Sequence, residues 1–209
     1  MTGNAADDRT QVAFWSAMQG APDRSDAERV NNKDRTHAKR LAEIARLLAL
    51  SPASRVLDIG AGNGLLERWH GPFRHYIGVD FCPEYTDEMR RACRSPSDIL
   101  TASVFDIPFA SLPEYDVAVM CGVNSIPGLF SSLTAQFDCL APVYRGHRTL
   151  VTFMWSGWPE FTAATQTYSL DEVRRECGAR QLRAAFHVGH LPHEFLCVIE
   201  PDATTPSGA

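Results

Sequence analysis

The apolar residues of this chain fall into short blocks, and the spacing inside the blocks alternates between two kinds. Val56–Ile59, His75–Asp80, Tyr115–Met120 and Arg148–Met154 are dense apolar runs of strand length. Runs of this kind, without strict alternation, belong to strands buried on both faces, as in parallel sheets. Between them the spacing turns helical. From Asn31, the residues Ala38, Leu41, Ile44, Ala45, Leu47 and Leu48 recur three or four apart until Ser51-Pro52, which predicts an amphipathic helix. Further helices are predicted over Leu65–Trp69, stopped by Gly71-Pro72, over Pro83–Arg94, and over residues 126–140. Ile99–Val104 reads as a third strand. Ser169 and Glu172 match a capping box at the start of a helix that reaches Cys177. Leu182–Val188 and Glu194–Ile199, joined by Gly189-His-Leu-Pro-His193, read as a closing hairpin. Near the N-terminus, Gln11–Met18 predicts a short helix broken by the stretch around Pro22.

Five strands alternating with helices predict an α/β fold with a mostly parallel sheet covered on both sides, and the hairpin adds an antiparallel strand. The 209 residues suit one domain, over 1–202, with an N-terminal helical lid over about residues 10–50 and a polar tail, 203–209, expected to be disordered. Composition narrows the partners. A net charge of −5 speaks against an extended nucleic-acid footprint. No apolar run approaches the roughly 20 residues of a membrane span. The N-terminus has neither the basic nor the apolar region of a signal peptide. Six cysteines without a CxxC pair fit reduced thiols of a cytoplasmic protein, and no metal site is expected.

The chemistry gathers behind the first strand. Gly60-Ala-Gly-Asn-Gly64 is a tight glycine turn that leads into a helix, an arrangement that lets a ligand approach the backbone closely. Asp58 precedes the turn. Asp80 closes the second strand 20 residues after Gly60, where a carboxylate can accept both ribose hydroxyls. Asp106 follows the third strand, where it can accept from an adenine amino group, and Phe81 and Ile107 flank these positions as candidates to sandwich a base. NAD does not fit, because position 65, where G-x-G-x-x-G wants its third glycine, is Leu65; a Walker lysine is absent as well.

Val56-Leu-Asp-Ile-Gly-Ala-Gly-Asn-Gly64, Ile77-Gly-Val-Asp80, Val104-Phe-Asp-Ile-Pro108 and Tyr115-Asp-Val-Ala-Val-Met-Cys-Gly122 together resemble the class I S-adenosylmethionine-dependent methyltransferases, in order, over roughly residues 35–200. The resemblance implies a seven-stranded Rossmann-like sheet of order 3-2-1-4-5-7-6 with strand 7 antiparallel. It implies S-adenosyl-L-methionine as cofactor and S-adenosyl-L-homocysteine as product. The backbone of Gly60, Ala61, Gly62 and Gly64 would line the methionine part, with Asp58 holding the turn or the amino group. Asp80 would take the ribose hydroxyls and Phe81 would face adenine. Asp106 would accept from the adenine amino group beside Phe105, and the Ile107 N–H would donate to the ring. The Cys121 carbonyl would face the ammonium. Lys33, Arg35 and His37 are candidates for a cation near the cofactor's carboxylate, and equally for a solvated helix start.

The expected reaction is methyl transfer to an O or N atom of a small molecule, as in secondary metabolism. His190 and His193, in the last loop, are candidate bases; His187, inside its strand, reads as structural. Asn124, after strand four, is a candidate to orient the acceptor. Two aromatic groups, Phe14 with Trp15 and Trp155 with Trp158, Phe161 and Tyr168, line either an acceptor pocket or the gap between lid and sheet. Two alternatives remain. A nucleic-acid or protein methyltransferase is one, although the N/D-P-P-Y type of motif is replaced by Cys121-Gly122-Val123-Asn124. A non-catalytic S-adenosylmethionine-binding protein is the other.

Overall fold

The computed structural model describes residues 38–123, 129–154, 156, 167–189 and 194–202. The chain enters with helix α1 (38–47), whose apolar stripe Leu41, Ile44, Leu47 and Leu48 is buried. Strand β1 (Arg55–Ile59), helix α2 (Leu65–His70), β2 (His75–Asp80), α3 (Pro83–Ala92) and β3 (Ser97–Thr101) follow. After two short 3-10 turns come β4 (Val117–Met120), α4 (Leu133–Cys139), α5 (Ala141–Gly146), β5 (Arg148–Met154), α6 (Leu170–Ala179), β6 (Leu182–Val188) and β7 (Glu194–Pro201).

The strands form one sheet of order β3-β2-β1-β4-β5-β7-β6. Four pairings are parallel; β7 runs antiparallel to both β5 and β6. Because successive side chains point to opposite faces, each central strand feeds two cores. Leu57, Ile59, Ile77, Val79, Met120, Val151, Phe153 and Cys197 pack against the apolar residues of α4, α5 and α6. Val56, Tyr76, Val117, Val119, Leu150, Leu196 and Val198 pack with Leu41 and Ile44 of α1, Leu66 of α2 and Met89 of α3.

Three sequence-based boundaries move, each for a local reason. β3 starts two residues earlier than expected and stops at Thr101, opposite the last residue of its partner β2. Beyond it Ser103 accepts from the Phe105 N–H and turns Val104–Asp106 into a 3-10 turn. β4 starts at Val117 because Asp116 is occupied in binding Arg55 through its backbone N–H and guanidinium. Of the helix expected over 126–140, the described residues form a helix only over Leu133–Cys139, and a second short helix, Ala141–Gly146, follows beyond the expected end. Ser132 caps the first by accepting from the Ala135 N–H at 3.1 Å. Leu140 ends it, and Pro142, which lacks an N–H, sits in the first turn of the second. The capping box of α6 is as expected: Ser169 Oγ accepts from Glu172 N, and Glu172 Oε2 accepts from Ser169 N at 2.7 Å. Most of the expected lid, residues 10–37, and the tail 203–209 lie outside the described residues. No helix among the described residues is long and apolar enough to cross a membrane.

α2 is short, with six residues, and is anchored by a buried carboxylate rather than by length. Glu67 is 1% exposed, and its Oε1 accepts from Arg94 N, Ser95 N and Ser95 Oγ at 2.9–3.0 Å. This joins α2 to the segment leading into β3. Glu67→Ala leaves those donors buried and unpaired, and is expected to lower unfolding free energy by about 3 kcal/mol in urea titration.

Candidate functional site

The glycine turn is held where β1, β2 and the segment after β4 converge. Gly60, Gly62 and Gly64 all take positive φ, at 70°, 57° and 78°. The N–H groups of Gly60 and Ala61 both donate to the carbonyl of Val79, at 2.8 and 3.0 Å. A Cβ on Gly60 would lie 1.9 Å from Val123 Cγ2, and one on Gly64 would lie 2.8 Å from Met89 Cγ. Glycine is therefore required twice over at these two positions, by backbone conformation and by close packing. Gly62 differs: a Cβ there would meet nothing within 4 Å among the described residues.

Asp80 binds this turn directly. Its Oδ2 accepts from Gly62 N and its Oδ1 from Cys82 N, both at 2.9 Å. Burial pushes its carboxyl above the usual range, while the N–H groups of Cys82, Gly62 and Phe81 pull it back. A carboxylate offers about four lone-pair sites, so capacity for a further donor remains beyond these three N–H groups. Asp58 is buried beneath the turn and accepts from the Tyr76 hydroxyl at 2.8 Å. Burial raises its carboxyl to about 7, with Tyr76 opposing and Asp80 adding repulsion.

Past β3, Asp106 and Phe105 are both exposed on the 3-10 turn, and the Phe105 ring meets Phe130 edge-on at 5.5 Å. Phe81, next to Asp80, is half-buried. The side chain of Ile107, a candidate to flank a base, is 6% exposed and packs in the core where the chain returns to the sheet after the 3-10 turn.

Across the other half of the sheet runs a second polar group. Cys121 follows β4, and Gly122, at φ 80°, donates from its N–H to Thr152 Oγ1 at 2.7 Å. From α1, Arg40 reaches down with Nη1 3.7 Å from Cys121 Sγ and Nη2 2.6 Å from Glu194 Oε2. Burial lifts the Cys121 thiol to about 11, against the pull of Arg40. Burial raises Glu194 to about 6, opposed by Arg40. Neither Arg40 nor Glu194 was singled out from the sequence, although a signal existed. Arg40 shares the 40-44-48 stripe of α1 with buried Ile44 and Leu48, and Glu194 shares one strand face with Leu196 and Val198. A charge on each apolar face asks for a partner.

Tyr168 belongs to the core rather than to a pocket wall: it is 8% exposed and packs edge-on against Phe153 at 5.7 Å. Trp15, Lys33, Arg35, His37, Asn124, Trp155, His190 and His193 lie outside the described residues, as do Phe14, Trp158 and Phe161. All six cysteines are free thiols, and among the described residues no group of His, Cys, Asp and Glu could hold a metal ion.

The raised Asp58 carboxyl has a consequence for stability. A carboxyl whose folded pKa lies above its unfolded value binds more protons in the folded state, so its contribution to stability falls as pH rises from about 4 to about 7. Asp58→Asn removes that penalty. Urea titrations of the variant and the wild type at pH 5 and pH 8 should show the variant gaining relative stability at the higher pH. Gly60→Ala acts through geometry instead, and should cost more than about 2 kcal/mol at either pH.

No protein-family model matches the sequence, and no curated protein matches it either. Solved structures do. The magnesium protoporphyrin IX methyltransferase ChlM from Synechocystis PCC 6803, with bound SAH, superposes with a TM-score of 0.63 at 11% identity, over 93% of this chain and 95% of that one. The DhpI–SAH complex gives 0.66 at 15% identity, over 94% and 97%. The methyltransferase domain of bacterial CtHen1 gives 0.58 at 14% identity, over 79% and 99%. Identities this low report the path of the chain rather than the substrate. With its sheet order and its antiparallel β7, the chain has the fold of the class I S-adenosylmethionine-dependent methyltransferases.

Proposed function

We propose that the protein is an S-adenosylmethionine-dependent methyltransferase that methylates an O or N atom of a small molecule. The observation that carries this is the Asp80 carboxylate, at the end of β2, accepting from the Gly62 N–H of the glycine turn. That interaction supports reading Asp80 as the ribose acceptor beside the glycine turn, where a Cβ on Gly62 would meet nothing within 4 Å among the described residues. Asp80 would receive the ribose hydroxyls. Phe81 and the exposed ring of Phe105 would bracket the base, and Asp106 with the Ile107 N–H would read its edge. The Gly60–Gly64 backbone and the Cys121 carbonyl would hold the amino-acid end, with Asp58 supporting the turn from below. When bound, the cofactor supplies an electrophilic methyl group on a sulfonium. The residues of the chain then have two tasks, to align an acceptor behind that carbon and to keep water out.

A small acceptor is supported by the acidic net charge of −5 and by one structural neighbour, ChlM, whose acceptor is a porphyrin. His190, His193, Trp15, Asn124 and Trp155 stay as candidate acceptor-side residues from the sequence.

Calorimetric titration with S-adenosylmethionine and S-adenosylhomocysteine should show binding of both. Asp80→Ala should weaken each by at least about tenfold, the loss expected for hydrogen bonds to a charged group. If neither ligand binds, or if Asp80→Ala binds as tightly as the wild type, the assignment is wrong. Release of S-adenosylhomocysteine on exposure to small hydroxy, amino and carboxy compounds then tests turnover.

A further inference from the structure

The pair formed by Arg40 and Glu194 is almost sealed from solvent, with side chains 8% and 0% exposed. The 2.6 Å contact engages only Oε2, and Glu194 Oε1 and Arg40 Nε have no hydrogen-bond partner among the described residues. Removing two ions from water costs several kcal/mol, and apolar residues in their place are often as stable or more so. The interface does not need the pair for cohesion, because Leu41, Ile44, Leu196 and Val198 already close it. Buried polar groups left unpaired in a folded protein call for an explanation.

Position supplies one. Glu194 opens β7 opposite Met154, the last residue of β5, so it stands at the carboxyl ends of the parallel strands. That end is where ligands sit in open α/β sheets. The residues assigned to the nucleoside, Asp80 and Asp106, belong to β2 and to the turn after β3, on the other side of β1. Glu194 therefore lies on the half of the sheet that the nucleoside leaves free.

We propose that Glu194, held by Arg40, receives the methyl acceptor, and that the reacting group is a hydroxyl or a neutral amine rather than a carboxylate. A carboxylate oxygen only accepts hydrogen bonds, so the group that satisfies Oε1 must be a donor. An acceptor carboxylate would meet like charge there. If the chain uses S-adenosylmethionine as proposed above, the step balances simply. The acceptor's proton passes to Glu194 while its lone pair bonds to the methyl carbon, and the carbon–sulfur bond breaks with its electron pair left on sulfur as a thioether. Among the described residues, the charged and titratable groups set against Glu194 are Arg40 from α1 and Cys121 after β4. Burial places the Glu194 carboxyl at about 6, near the range where a base works best at neutral pH.

The test uses the full chain saturated with S-adenosylhomocysteine, and phenol, aniline and benzoate as probes in ligand-observed NMR. Phenol and aniline should bind, and benzoate should bind at least about tenfold more weakly. Phenol binding should weaken as pH falls through about 6 in the wild type. Glu194→Gln should lower phenol affinity about tenfold and abolish that pH dependence, with S-adenosylhomocysteine affinity within about twofold of the wild type. Should the single variant fail to fold, the Arg40→Met/Glu194→Leu double variant, which removes both charges, should hold phenol and benzoate alike. The proposal falls if benzoate binds the wild type as tightly as phenol, if no protic probe binds, or if the variant that folds treats the probes as the wild type does. A wild type without affinity for S-adenosylhomocysteine rejects the functional assignment instead.

Discussion

The conformation of the Gly60–Gly64 turn is the constraint on which the rest of this molecule depends. Gly60 can turn there only because nothing projects from its Cα, with Val123 packed into the space a side chain would take. The turn is then pinned from β2 twice, by the Val79 carbonyl and by the Asp80 carboxylate. β1, β2 and the segment after β4 are thus fixed relative to one another at their carboxyl ends. The sheet's two cores, on opposite faces, keep those three strands from moving apart. A site on such a frame is organised before any ligand arrives, which lowers the cost of binding one.

The same end of the sheet carries three buried carboxyl groups, Asp58, Asp80 and Glu194, each raised chiefly by burial. Their partners differ in kind. Tyr76 serves Asp58, backbone N–H groups serve Asp80, and a guanidinium serves Glu194. Only Asp58 is tied to the core itself; Asp80 and Glu194 both keep oxygen lone pairs unused. Buried carboxyl groups are costly unless hydrogen-bonded, and at each of the three a different kind of partner offsets that cost.

Much of this was legible in the sequence because it is local. β2 and β5 have the expected boundaries, the capping box at Ser169 is made, and the spacing from Gly60 to Asp80 brings that carboxylate onto the turn. What the sequence hid depends on the neighbours of each segment. β3 ends where β2 ends, a fact of pairing that its own residues do not carry. The helix expected over 126–140 starts only at Leu133, after its Ser132 cap, and a second helix with Pro142 in its first turn follows past 140. The burial of Ile107 in the core comes from packing across the sheet that its own neighbours in sequence do not show. The Arg40–Glu194 pair joins the first described helix to the last strand, so only the closed sheet brings its members together.

The contact between Gly60 and Val123 also bears on how this molecule can diversify. Val123, in the segment after β4, stands where a side chain at 60 would go, so a side chain at 60 can be admitted only if the group at 123 gives way. Positions 60 and 123 should therefore behave as a matched pair in any library or lineage.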